Sequence, residues 1–239
     1  MSPDHLPDGW SIHWLDEVDS TNDHLHRSEY PPGTVVVAKR QTQGRGRRQN
    51  RWQSVEGESL TFSVLLRPTV PLALWPRLSL AAGLAVAETL EKMGYEAGLK
   101  WPNDLWIRER KVGGILVESS DDGAVVGIGL NLGMRDFDPG IEATSLLIED
   151  GRHWEAAEVL DLLLPRLAGR SASIGDGFEA MLEEIRRRCV LSGRRVVLRT
   201  SRGEQTGEVV GIGSKGELLL RTADGVLPVI QAEEVRPVS

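Results

Sequence analysis

Lys100 and Lys111 are two of only five lysines in a chain that otherwise carries its positive charge on arginine. They stand in the segments KWPNDLW at 100–106 and KVGGILVE at 111–118. Arginine is a fixed planar fork, whereas lysine is a compact ammonium that can sit on one oxyanion and adjust its proton affinity. The pair is therefore a candidate for chemistry on an anion; the alternative is two surface lysines brought close by chance.

A second cationic stretch, Gly44-Arg45-Gly46-Arg47-Arg48, alternates glycine with arginine. Its backbone can approach a ligand closely while the guanidinium groups offer forked donors to carboxylate or phosphate. A solvated basic loop or a nucleic-acid patch is the competing explanation. Asp19-Ser20-Thr21-Asn22 is a helix N-cap sequence, since these side chains satisfy the free N–H groups of a first turn. The same hydroxyls and amide could also face a polar ligand group that needs donors and acceptors together, and spacing alone does not decide.

Other chemistries find little support. The five histidines, His5, His13, His24, His26 and His153, show no HExxH spacing, although His24 and His26 could form a ligand pair. No serine lies in a GxSxG context and no GxxxxGK[ST] loop is present. GIGLNLG at 127–133 has its third glycine one residue late for a dinucleotide fingerprint; GIGSKG at 211–216 matches that pattern but has no βαβ unit to follow.

Composition narrows the setting. A chain of 239 residues, 40% hydrophobic, can bury a sizeable core in one large domain or in one large and one small. The lone Cys189, expected within a helix, excludes an intramolecular disulfide framework and suits a reducing cytoplasm. No leader-like or membrane-length apolar run occurs. A formal charge of −7 argues against a chain built to hold nucleic acid, so no DNA or membrane partner is expected.

The elements that must position these residues follow from periodicity. Strands are expected at about 10–15, 35–38, 60–66, 99–101, 111–119 and 124–132, the last two joined by an Asp121-Asp122-Gly123 turn, with the last three forming an antiparallel sheet. Helices are expected at 74–93, 154–168 and 177–191. After Gly193 the chain changes to short strand-like runs at 195–199, 208–212, 217–221 and 227–230, which suggests a small barrel and a boundary giving domains 1–191 and 192–239.

The ordered set Asp19-Ser20-Thr21-Asn22, Gln41, GRGRR at 44–48, Trp52, KWPNDLW, KVGGILVE and GIGLN at 127–131 resembles the biotin protein ligases. The resemblance implies an α+β fold: a mixed, largely antiparallel sheet with helices on one side, of the class II aminoacyl-tRNA synthetase and biotin synthetase type, followed by an SH3-like barrel. It implies ATP and magnesium dependence, biotin as substrate, biotinyl-5′-AMP as intermediate, and a biotin carboxyl carrier domain of a biotin-dependent carboxylase as partner. Ser20, Thr21, Asn22 and Gln41 would meet the ureido end of biotin. Gly44, Arg45, Gly46 and Arg47 would cover the carboxylate and phosphates, and Gly113 and Gly114 would let a strand pass against biotin. Lys111 would lie between carboxylate and α-phosphate, with Arg45 and Arg47 as its catalytic companions. Trp52, Asn103, Asp104 and Asn131 would belong to the ATP side, with Lys111, Arg45 and Arg47 reaching it as well. The magnesium ligands and the oligomeric state stay open, a homodimer included.

Two departures from the family pattern stand out. Gln49-Asn50 occupies the place of a glycine and a basic residue, which implies faster escape of the intermediate. Only 18 residues precede Asp19, too few for a helix-turn-helix, so a ligase without repressor function is expected. A lipoate or octanoate ligase is the nearest rival; a non-catalytic biotin-adenylate sensor and an arginine-loop nucleic-acid binder are rivals of other classes.

Overall fold

The computed structural model describes residues 5–120, 123–200 and 203–238. Asp121 and Asp122 of the expected turn lie outside them. Strands β1 (Ser11–Val18), β2 (Thr34–Gln41), β3 (Ser59–Leu66), β4 (Ala97–Lys100), β5 (Asp104–Ile107), β6 (Arg110–Ser120) and β7 (Gly123–Asn131) form one sheet in the order β1-β2-β3-β7-β6-β5-β4. All neighbours in it are antiparallel except β1 and β2. A parallel pair needs a crossover, and α1 (Thr21–Arg27) supplies it.

Alternation along the strands divides the sheet into two faces. Phe62, Val64, Val126, Ile128 and Leu130 belong to the main core with α2 (Arg77–Lys92) and α4 (Ala156–Ala172). Their strand neighbours Ser63, Gly127 and Gly129 turn the other way, toward α1 and the arginine loop. A small separate cluster of Leu25, Val36, Leu65 and Val125 fixes α1 on that second face. Helices therefore lie on both sides, not one: α1 has a single buried leucine and too short an apolar stripe to be read by periodicity.

The helix expected from Leu74 starts instead at Arg77, behind Pro76, with a 3₁₀ turn over Leu72–Leu74. Helix α5 (Phe178–Arg188) stops three residues before the expected end. Cys189 is extended there and pairs in parallel with Leu99, and the Val190 amide donates to the Leu99 carbonyl at 3.0 Å. The cysteine is a buried residue covering the sheet edge, not a helix residue. Strand β5 is not legible in the sequence, because a four-residue strand behind the Trp101-Pro102-Asn103 turn is too short to show alternation.

Strands β8 (Arg195–Thr200), β9 (Gly203–Ile212), β10 (Leu218–Thr222), β11 (Gly225–Val229) and β12 (Glu234–Pro237) make a second, antiparallel sheet in the order β11-β10-β9-β8-β12, an SH3-like barrel. The GIGSKG run forms the β9–β10 turn. Barrel residues Val196, Leu198, Ile212 and Leu218 share one core with the main domain. Gly216 lies against it at φ +87, where a Cβ would come within 2.8 Å of Leu80 Cδ1. Its carbonyl accepts a hydrogen bond from Trp101 Nε1 at 3.0 Å. Among the described residues, no helix is long and apolar enough to cross a membrane.

Candidate active site

One cavity gathers most of the residues singled out from the sequence. Ser20, Thr21, Asn22, Gln41, Arg45, Gly46, Arg47, Trp52, Asn103, Asp104, Lys111 and Gly114 all line it. Its floor is the start of α1. Ser20 caps that helix, its side chain accepting from the Asp23 amide, and Ser20, Thr21 and Asn22 are each buried. The Thr21 hydroxyl and amide both donate to Gln41 Oε1, at 3.1 and 2.7 Å. Ser63 Oγ lies 2.7 Å from Thr21 Oγ1 and 2.6 Å from Asn22 Oδ1. The residues that cap α1 are thus also those that line the cavity floor.

Lys111 and Gly114 line the cavity together although three residues apart, a spacing that points to opposite faces of a regular strand. A register shift in the β5–β6 ladder, where Leu105 pairs with Gly113 but Trp106 with Lys111, resets the alternation. Lys111 Nζ then reaches Asp104 Oδ1 at 2.7 Å. A Cβ on Gly114 would lie 3.3 Å from Lys111 Cε and Nζ, so the glycine keeps the lysine's path open.

Lys100 stands opposite Asp104 in the β4–β5 ladder, with its Nζ 4.7 Å from the Trp106 ring centroid. Burial pushes its amine below the usual lysine range, with Asp104 opposing and Lys111 adding to that shift. Of the opening pair, Lys111 makes the ion pair with Asp104, and Lys100 feels that carboxylate through its field.

The arginine loop closes the opposite side. Arg47 donates to Asn103 Oδ1 at 3.3 Å and to the Ala232 carbonyl at 3.2 Å. Burial pushes the Arg47 guanidinium pKa downward, the Arg48 charge adds to this, and Asp104 opposes it. Arg48, at φ 55, pairs with Glu233 at 2.8 Å. Arg45 Nη2 sits 2.6 Å from Asp23 Oδ1 and 3.0 Å from Glu118 Oε2. Trp52 is stacked so closely on β7 that a Cβ on Gly129 would fall 2.3 Å from its ring. Its Nε1 is buried against β7 without a hydrogen-bond partner among the described residues.

Three expected residues fall outside the cavity wall. Gly113 faces the helical core, where a Cβ would meet Leu130 Cδ2 at 2.5 Å, so its missing side chain lets β6 and β7 pack closely. Gly44 lies under the loop, within 2.5 Å of the Trp52 carbonyl by the same test. Asn131 is buried and donates to the Thr144 carbonyl at 2.9 Å; Thr144 in turn hydrogen-bonds the Lys111 carbonyl, so Asn131 steadies the strand that carries the lysine.

Other wall residues are not foreseen from the sequence. Gly127 and Gly129 leave one face of β7 bare, and their two-residue spacing inside a strand-like run is the available signal. Thr61, Arg51 and the barrel residues Ala232, Glu233, Glu234 and Val235 give no such signal, because only tertiary docking brings them there.

A hydroxyl- and amide-lined floor in one cavity with lysine and arginine side chains is chemistry suited to a polar, anionic ligand. Residues 14–134 match the biotin/lipoate A/B protein ligase family, and residues 191–235 match the biotin protein ligase C terminal domain. The chain is 35% identical over 242 residues to the biotin–[acetyl-CoA-carboxylase] ligase of Paracoccus denitrificans, covering 92% of this chain and 98% of that one. It is 33% identical to the bifunctional ligase/repressor BirA of Bacillus subtilis, covering 92% of this chain and 71% of the relative. The Aquifex aeolicus biotin protein ligase in complex with biotin and ATP superposes with a TM-score of 0.88 at 37% identity, covering 95% of this chain and 99% of that one. The chain belongs to the biotin/lipoate A/B protein ligase family. Within it, the chain is a ligase of the biotin protein ligase type.

Proposed function

We propose that the protein joins biotin to ATP as biotinyl-5′-AMP and then passes biotin to one lysine of a biotin carboxyl carrier domain. The observation that carries this reading is the meeting of two chemistries in one cavity. Ser20, Thr21, Asn22 and Gln41 offer donors and acceptors, and Lys111, Arg45 and Arg47 offer cations in the same cavity. A ureido group bound by the first set leaves the carboxylate to the cations.

In the first step a carboxylate oxygen attacks the α-phosphorus, and pyrophosphate leaves with the electrons of the broken P–O bond. Two anions must meet, so mutual repulsion has to be neutralised before the oxygen can approach. In this reading Lys111, which pairs with Asp104, bridges both. Arg45 and Arg47 add charge and N–H donors, and in this reading Asn103, Asp104 and Trp52, which line the same cavity, form the nucleotide side. In the second step the carrier amine attacks the acyl carbon and AMP leaves, so no enzyme nucleophile is required.

Magnesium, which the resemblance implies, finds no protein cage: no group of three His, Cys, Asp or Glu side chains able to hold a metal occurs among the described residues. The residues fit an ion arriving on the nucleotide phosphates better than a resident one, and no step is derived through it.

The test is pyrophosphate exchange into ATP. Exchange stimulated by biotin and not by lipoate or octanoate is expected; stimulation by lipoate in place of biotin would overturn the substrate assignment.

A further inference from the structure

The Glu118 carboxylate contacts both Asn22 and Arg45 of the cavity, yet Glu118 is not part of the cavity wall. Its Oε2 accepts from Asn22 Nδ2 at 2.7 Å and lies 3.0 Å from Arg45 Nη2. His26 Nε2 is 3.8 Å away. It shares Arg45 with Asp23, whose Oδ1 is 2.6 Å from the same Nη2. Strand alternation explains the placement: Gly114, Leu116 and Glu118 follow one another on the cavity face of β6, and Glu118 is where that face meets the first turn of α1.

We infer that Glu118 is a positioning residue for the arginine loop, with Asp23 as its accessory. The inference rests on the reading of the site as a biotin-adenylate site. Two carboxylates on the rigid scaffold, one on β6 and one on α1, grip one nitrogen of the Arg45 guanidinium. Arginine has five N–H donors in a rigid plane, so a grip through Nη2 fixes the plane and leaves the Nε–H and Nη1–H groups directed and available as single donors to a ligand anion. A glycine on either side of Arg45 gives the loop little stiffness of its own, so the order must come from outside it.

The same carboxylate fixes the floor. Asn22 Nδ2 must donate to Glu118, which turns Oδ1 toward Ser63 and toward the space over Gly127. Loop and floor are thereby held to one anchor, and a ligand spanning them meets both already oriented, which lowers the cost of ordering them on binding.

The test is a double-mutant cycle of Glu118→Gln and Arg45→Ala, read as biotin affinity by calorimetry and as the dissociation rate of enzyme-bound biotinyl-5′-AMP. The glutamine amide keeps an acceptor for Asn22 and removes only the charge. Glu118→Gln should speed adenylate dissociation by about three- to tenfold. Asp23→Asn should act in the same direction. In the Arg45→Ala background, Glu118→Gln should add nothing, because the positioned group is gone; purely structural roles for Glu118 would instead add independently. An unchanged dissociation rate in Glu118→Gln, or full additivity with Arg45→Ala, would overturn the inference. Wild-type protein that binds no biotin would overturn the biotin assignment itself and is seen in the same calorimetry.

Discussion

At the scale of residues, the site depends as much on missing side chains as on charged ones. Gly127 and Gly129 lie two apart on β7 and face the cavity, but they protect different partners. A Cβ at 127 would fall 2.2 Å from Asn22 Oδ1, and one at 129 would fall 2.3 Å from the Trp52 ring. Both partners would have to shift, an overpacking cost of about 1–3 kcal/mol. If the floor holds biotin and Trp52 belongs to the nucleotide side, the two substitutions should separate kinetically. Gly127→Ala should raise KM for biotin by about tenfold with a smaller effect on ATP, and Gly129→Ala should do the reverse, one decade in KM corresponding to about 1.4 kcal/mol. Equal effects of both variants on both substrates, measured in the same exchange assay, would contradict that division.

At the scale of elements, the seam between sheet and barrel matters most. Trp101 follows β4, is buried, and donates its indole N–H to the Gly216 carbonyl across the seam. Arg47 reaches the Ala232 carbonyl and Arg48 pairs with Glu233, so the arginine loop leans on the barrel as well. The Arg48–Glu233 pair is partly exposed and is worth little by itself. The buried indole bond contributes more. Trp101→Phe keeps most of the packing but leaves a carbonyl unpaired, a loss of about 1–2 kcal/mol, or roughly 2–8 °C in Tm for a chain of this length. Calorimetric melting checks it, and an unchanged Tm would show that the seam does not depend on that bond.

Seen as a whole molecule, the chain makes plain which features a sequence can carry. The long apolar stripe of α2, the N-cap at Ser20 and the two lysines in their short motifs are legible, because each is a local pattern. The β5–β6 register shift is not, since nothing in KVGGILVE announces that Lys111 and Gly114 will share a face. Nor is the contribution of Ala232 to Val235, which lie far along the chain from the other walls and arrive only through the packing of the barrel. Cys189 falls outside its expected helix for a related reason: α5 carries a helical pattern to its end, but pairing with Leu99 at the sheet edge takes over after Arg188. The bridging of carboxylate and α-phosphate by Lys111 is central to the proposed reaction. It is tested most directly by Lys111→Ala with biotin and ATP, following labelled biotinyl-5′-AMP and labelled carrier separately. Adenylate formation should fall by on the order of 10²–10³ while transfer from supplied biotinyl-5′-AMP is far less affected; near-normal adenylate formation would contradict that role.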